Sequence, residues 1–187
     1  DYAVIGVDLA NENTYWKIKS LNDGVFPLIA DDPKIVQFFN RTKDKGNFLA
    51  TYDSYAYEFA DVIIVDINLD VHKQANPDAS LKDFDLDLTD FKVAIKSIAS
   101  KCKSNVLILV ETTVPPGTCQ NIVRPIVEEE LTRRGLKIDG FRLGHSYERV
   151  MPGPHYIDSI REFPRVYSGY NEVSADSVES FLNTIID

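Results

Sequence analysis

Apolar residues in this chain gather into short unbroken runs separated by stretches with helical spacing. Val106, Leu107, Ile108, Leu109 and Val110 are consecutive. Five aliphatic side chains in a row leave no polar face, which is the pattern of a central parallel strand covered on both sides. Val62-Ile63-Ile64-Val65 repeats the pattern, and so does the opening Tyr2-Ala3-Val4-Ile5-Gly6-Val7. Phe48-Leu49-Ala50-Thr51 predicts a shorter strand, and further strands are expected at 138–143 and 165–169.

The segments between these runs read as helices. One carries Tyr15, Ile18 and Leu21 on one face and stops at Gly24. The next opens at Asp31-Asp32-Pro33, an acidic cap followed by a proline, and presents Ile35, Val36, Phe38 and Phe39. Asp53 caps a brief helix to Phe59. Phe91, Ala94, Ile95 and Ile98 form the apolar side of a helix entering the central strand, and the stripe extends to Cys102. After that strand, Pro115, Pro116 and Gly117 enforce a turn. Thr118 is the expected N-cap of a helix with Ile122, Val123, Ile126, Val127 and Leu131 inward, Pro125 kinking it and Gly135 ending it. A last helix is expected over 174–186. Strands alternating with helices predict an α/β fold, a doubly wound parallel sheet of Rossmann type. Residues 68–90 are the least regular. Their Asp83, Asp85, Asp87 and Asp90 read as favourable charge before a helix, because a calcium loop would also need a central Gly and a closing Glu.

Composition removes several classes of function. The 187 residues hold 20 Lys and Arg against 29 Asp and Glu, a net charge of -9, with no basic cluster beyond Arg133-Arg134. A nucleic-acid partner is therefore not expected. No apolar run is long enough for a membrane span and no secretory leader pattern opens the chain, so a cytoplasmic protein is expected. Two cysteines, Cys102 and Cys119, give neither a disulfide framework nor metal-ligand spacing, and no metal site is expected. Cys102 reads as packing. Cys119 opens a helix, where the dipole could lower its pKa and make a reactive thiol.

The candidate chemistry lies where strands end. In open α/β sheets ligands bind outside the carboxyl ends of the strands, and three of the expected strands end in Asp8, Asp66 and Glu111. Asp8 fits the acid that accepts hydrogen bonds from an adenosine ribose, or else it caps the following helix. Asn11-Glu12-Asn13 brings no cation for a 2′-phosphate, which favours NAD over NADP. The glycine-rich strand-turn-helix that should precede such a strand is not in the sequence, so the sheet is expected to lack its first strand and phosphate-cradling turn. Glu111-Thr112-Thr113 is either a site or a plain sheet-to-helix loop. A second candidate is Gly144-His145-Ser146-Tyr147-Glu148-Arg149-Val150-Met151-Pro152-Gly153-Pro154, where ionisable residues crowd between backbone breakers. Its Glu148 and Arg149 either act in a site or pin the loop as a pair, and His145 is either a general base or a hydrogen-bonded structural residue.

Taken together, the motifs E-T-T-V-P-P-G-T and S-Y-E-R-V-M-P-G about thirty residues later, with V-I-G-V-D at the start and P-R-V-Y-S-G near the end, resemble the UDP-glucose/GDP-mannose dehydrogenase family. The resemblance runs over nearly the whole chain in order. It implies an NAD-dependent enzyme that oxidises the C6 hydroxyl of a nucleotide-linked hexose to a carboxylate in two hydride transfers, within polysaccharide precursor synthesis. It also implies that residues 1–187 are the NAD-binding domain in part. The central dimerising helix of a homodimer, the sugar-nucleotide domain, the nucleophilic Cys and the catalytic Lys and Asn would lie beyond it, and this stretch alone would be inactive.

Carried over by position, Asp8 would hold the adenosine ribose. Thr113 would lie near the nicotinamide and help order the catalytic water, and Asp66 would stand at an NAD contact. Glu148 would act on the water that hydrolyses a thioester intermediate. Arg149, Val150, Met151, Pro152 and Gly153 would belong to the sugar-nucleotide loop. Two departures stand out. Asp66-Ile67-Asn68 replaces a Val-Pro-Thr-Pro-like turn, and Tyr147 replaces the Pro that commonly precedes the Glu-Arg pair; the latter suggests a subfamily for an N-acetylhexosamine. Two other readings stay open: a two-electron hydroxyacid dehydrogenase of similar fold, and a non-catalytic nucleotide-binding module.

Overall fold

A computed structural model describes residues 2–69, 71–147 and 150–186. The order of elements is β1 (Val4–Val7), α1 (Glu12–Asn22), α2 (Pro33–Lys45), β2 (Phe48–Thr51), β3 (Val62–Val65), β4 (Val71–Ala75), β5 (Leu81–Leu86), α3 (Thr89–Ala99), β6 (Leu107–Val110), α4 (Arg124–Arg133), β7 (Arg142–His145), α5 (Tyr156–Glu162), β8 (Ser168–Gly169) and α6 (Glu172–Leu182). A 3₁₀ turn, Ser54–Glu58, precedes β3 and starts at Asp53, whose carboxylate accepts from the Tyr55 amide as expected.

Parallel pairing dominates. β6 lies between β3 and β7 and runs parallel to both, while β8 closes that four-stranded sheet antiparallel to β7. All four residues of β6 are buried, as an unbroken aliphatic run requires. α3 and α4 cover one face through Phe91, Ile95, Ile98, Val123, Val127 and Leu131, and α6 covers the other through Val178 and Leu182 on Leu107 and Leu109. Each fully buried Leu, Ile, Val or Phe removes enough apolar surface from water to stabilise the fold by roughly 1.5–3 kcal/mol. The layered α/β architecture is thus the one expected.

β1 and β2 form a separate parallel pair, so the expected single sheet is divided into two and four strands. Among the described residues neither β1 nor β3 has a neighbour on its second edge, and Val4, Ile5 and Ile64 are exposed there. The outer edge of β2 is covered differently. The Asn22 side chain accepts from the Ala50 amide and donates to the Ala50 carbonyl, both at 2.8 Å, so one side-chain amide stands in for a strand backbone.

Several boundaries differ from the sequence reading. The 68–90 stretch holds a β4–β5 hairpin, turned at Asn76, Asp78 and Ser80, so Asp83 and Asp85 are strand residues and not helix-terminal charges. Asp87 does serve α3, accepting from the Thr89 amide. Thr118 stands at the expected N-cap position, but its dihedrals are already helical and it makes no side-chain capping bond, its hydroxyl donating back to the Pro115 carbonyl instead. Pro125 falls in the first turn of α4, where its missing N–H costs the ladder nothing, and the chain just before it widens into a π-helical turn at Cys119–Val123. α4 ends in a Schellman arrangement on Gly135, at φ 69°, with the Gly135 and Leu136 amides returning to Thr132 and Leu131. The 138–143 strand begins only at Arg142, the 165–169 strand shrinks to Ser168–Gly169, and α5 was not foreseen.

Candidate cofactor and substrate site

The carboxyl ends of β3, β6 and β7 lie side by side and supply the first part of the site. Glu111 and Thr112 both donate backbone amides to the Val65 carbonyl, and Ser146 donates its amide to Val110, so the three strand exits are tied together. The Thr112 hydroxyl accepts from the Ile67 amide at 2.8 Å and contacts the Val65 carbonyl at 3.2 Å. Thr112 is therefore a buried rivet between β3 and β6, while the neighbouring Thr113 is exposed above the sheet. Asp66, at the exit of β3, is also exposed.

Asp8 is exposed at the carboxyl end of β1, and its Oδ1 accepts from the Leu9 amide at 2.7 Å. It does not cap α1. That role belongs to Asn11, which forms a reciprocal capping box with Thr14. The helix-capping alternative for Asp8 is therefore corrected, and the acid is free of any duty to the helix. No Lys or Arg lies between Asp8 and Lys17.

The second candidate loop leaves β7 at Ser146. Glu148 and Arg149, the expected catalytic acid and its neighbour, lie outside the described residues. Val150, Met151, Pro152 and Gly153 are described, and the last is at φ 125°. Met151 and Pro152, with Pro154, His155, Asp158, Ser159, Glu162 and Phe163, line an open pocket of about 350 Å³. The pocket is walled by α5, whose buried Ser159 accepts from the Met151 amide at 3.0 Å and donates to the Tyr156 carbonyl at 2.7 Å. The backbone of the loop is thus hung from α5.

An ion pair was not anticipated here. Arg165 lies just before β8, and because β8 is antiparallel with Ser168 opposite His145, Arg165 sits beyond the carboxyl end of β7. Its Nη1 is 3.7 Å from Glu111 Oε1, with the two side chains only 6% and 15% exposed. The pair therefore spans the exit of β7 from which the loop departs. Arg165 Nε, Ser146 Oγ and His145 Nε2 are buried without a hydrogen-bond partner among the described residues. His145 packs near Tyr147, with ring centroids 6.0 Å apart.

Cys119 is not activated. Burial pushes its thiol up to about 11, the opposite of what a helix-start position suggested. At pH 8 about one such thiol in a thousand is ionised, so alkylation by iodoacetamide is expected to be on the order of 100-fold slower than for a free cysteine. Peptide mass spectrometry would check this, and modification within minutes would contradict it.

With this geometry in view, residues 1–185 match the model of the UDP-glucose/GDP-mannose dehydrogenase family, NAD binding domain. The chain belongs to this family. A UDP-N-acetyl-D-mannosamine dehydrogenase of Pyrococcus horikoshii is 26% identical over 185 residues, 99% of this chain and 40% of that protein. A UDP-N-acetyl-D-glucosamine 6-dehydrogenase of Pseudomonas aeruginosa is 30% identical over 128 residues, 67% of this chain and 26% of that protein. Among solved structures, the NDP-N-acetyl-D-galactosaminuronic acid dehydrogenase from Methanosarcina mazei Go1 superposes with a TM-score of 0.83 at 28% identity, over 98% of this chain and 37% of the other. The chain spans about 40% of the length of the curated relative that it matches over 185 residues.

The chain is an NAD-binding domain of this family, and two residues expected at the cofactor, Asp8 at the exit of β1 and Thr113 just past the exit of β6, are both exposed. None of its nine glycines falls in a G-x-G-x-x-G turn, so these residues do not include a pyrophosphate cradle of that type. No helix among the described residues is long and apolar enough to cross a membrane.

Proposed function

We propose that this domain serves a nucleotide-sugar 6-dehydrogenase that oxidises the C6 hydroxyl of a UDP-linked N-acetylhexosamine to the uronate, supplying a precursor for polysaccharide. The observation that carries this reading is the placement of Asp8, Asp66 and Thr113, all exposed at the carboxyl ends of parallel strands, within a chain matching the family's NAD domain over 185 residues. Relatives acting on N-acetylated UDP-sugars support the sugar class, and a homodimer working in the cytoplasm is the setting that the resemblance suggests.

Oxidising a primary alcohol to a carboxylate removes four electrons, so one substrate consumes two NAD and one water and releases two NADH and three protons. NAD, when bound, supplies the hydride acceptor for both steps. Asp8 would hold the adenosine ribose of a bound NAD through charge-assisted hydrogen bonds and would disfavour a 2′-phosphate. Thr113 would offer its hydroxyl on the nicotinamide side of a bound NAD and help order the attacking water. Glu148 accepts the proton of that water as it adds to the acyl carbon. Arg149 and residues 150–153 would belong to the loop that binds the sugar nucleotide.

Stoichiometry separates this reading from a hydroxyacid dehydrogenase. NADH yield per substrate consumed is expected to be two, measured by absorbance in the protein that carries this chain with its flanking sequence. A yield of one would favour the hydroxyacid reading, and NAD binding without turnover of any UDP-sugar would favour the non-catalytic module. Asp8→Ala is expected to raise the KM for NAD about 10- to 100-fold, since a hydrogen bond to a charged group contributes roughly 1.5–3 kcal/mol. Initial rates with both cofactors would test the assignment. An unmodified enzyme preferring NADP would sink it.

A further inference from the structure

We propose that Asp32 is a positioning residue that fixes the 150–153 loop through α5. Asp32 is 1% exposed, and a carboxyl group so deeply buried is tolerated only when its oxygens are hydrogen-bonded. Here each oxygen takes a different helix. Oδ1 accepts from the Lys34 amide in the first turn of α2, and Oδ2 accepts from the Ile157 amide in the first turn of α5, both at 2.9 Å. One side chain therefore caps two helices 125 residues apart in sequence.

The joint continues in both directions. Lys34 pairs with Asp158 across the same contact, a second link between α2 and α5. Beyond α5, Ser159 holds the Met151 amide, so the sequence of contacts runs α2, Asp32, α5, Ser159, Met151. α2 leads directly into β2, the partner of β1, and thus belongs to the half of the fold that carries Asp8. Asp32 couples that half to the wall of the 350 Å³ pocket. The functional part of the proposal rests on reading 150–153 as substrate-facing; the joint itself does not.

Asn at position 32 separates the two caps. Its single carbonyl oxygen can still accept from Lys34, but its NH₂ group would meet the Ile157 amide donor to donor. Hydrogen exchange in the complete protein carrying Asp32→Asn is expected to show the α5 and Met151 amides exchanging about 10-fold or more faster, with α2 unchanged. Ser159→Ala should loosen Met151 while leaving both caps in place, and it guards against a folding defect in the first variant. In initial-rate assays with UDP-N-acetylglucosamine and UDP-N-acetylmannosamine, both variants should raise the KM for the sugar nucleotide about 10-fold. Neither the KM for NAD nor kcat should change comparably. Unaltered α5 exchange in Asp32→Asn would overturn the joint, and faster exchange with an unmoved sugar KM would overturn the positioning role. Should the unmodified protein turn over neither sugar, the functional reading fails alone, and exchange at Met151 still decides the proposal.

Discussion

Glu148→Gln is expected to reduce turnover by about 10²–10⁴-fold, the usual contribution of a general base. The substitution keeps the size of the side chain and removes its ability to take a proton, so binding of cofactor and sugar should persist. Hydride transfer does not require a base at this position, whereas attack of water on an acyl carbon does. Hydrolysis should therefore become limiting, and the covalent acyl-enzyme expected from the family resemblance should accumulate. Intact-mass spectrometry of the complete protein after mixing with NAD and substrate would show the adduct. Wild-type turnover in this variant would instead favour a Glu148–Arg149 pair that merely pins the loop.

Gly169→Ala is expected to lower stability by about 3 kcal/mol, at the upper end of what overpacking usually costs. A methyl at this position would lie 2.1 Å from the Ala175 amide nitrogen, 2.6 Å from its Cα and 2.7 Å from the Asn171 carbonyl oxygen. All three are backbone atoms at the start of α6, so no side chain can swing aside. Gly169 pairs with Gly144, where a methyl would meet Val178 at 2.3 Å, and the paired glycines let α6 sit directly on the sheet. For a domain of this size the loss corresponds to a fall in Tm of roughly 10 °C. Thermal unfolding followed by circular dichroism would measure it, and a Tm unchanged within error would show that α6 can retreat freely.

Much of the fold was legible because it is encoded locally. The unbroken aliphatic run at 106–110 announces a buried strand, whereas the one at 62–65 forms an edge strand with Ile64 exposed, and of the Phe91, Ala94, Ile95, Ile98 and Cys102 stripe all but the half-buried Ala94 are buried. Gly135 and Asp32 mark helix ends by chemistry that needs only neighbouring residues. What stayed hidden depends on contacts distant in sequence. The β4–β5 hairpin was masked because acids at alternate positions of a strand also look like charge gathered before a helix. α5 has seven residues behind a Pro-Gly-Pro stretch, too few to show a period. The sequence marks 111–113 as a strand exit but not which threonine turns inward; that follows from β3 lying alongside, where Thr112 ties Ile67. The second duty of Asp32 and the Glu111–Arg165 pair likewise join segments that no local pattern connects.

The Asn22 amide on Ala50 sets a direction for sheet growth. An exposed strand edge invites any other extended chain to pair with it, which is a route to aggregation. By occupying both polar groups of Ala50, Asn22 ends the β1–β2 pair on the β2 side and leaves additional pairing to the opposite flank, along β1. A single side chain on a helix thus decides on which side the small sheet can be extended.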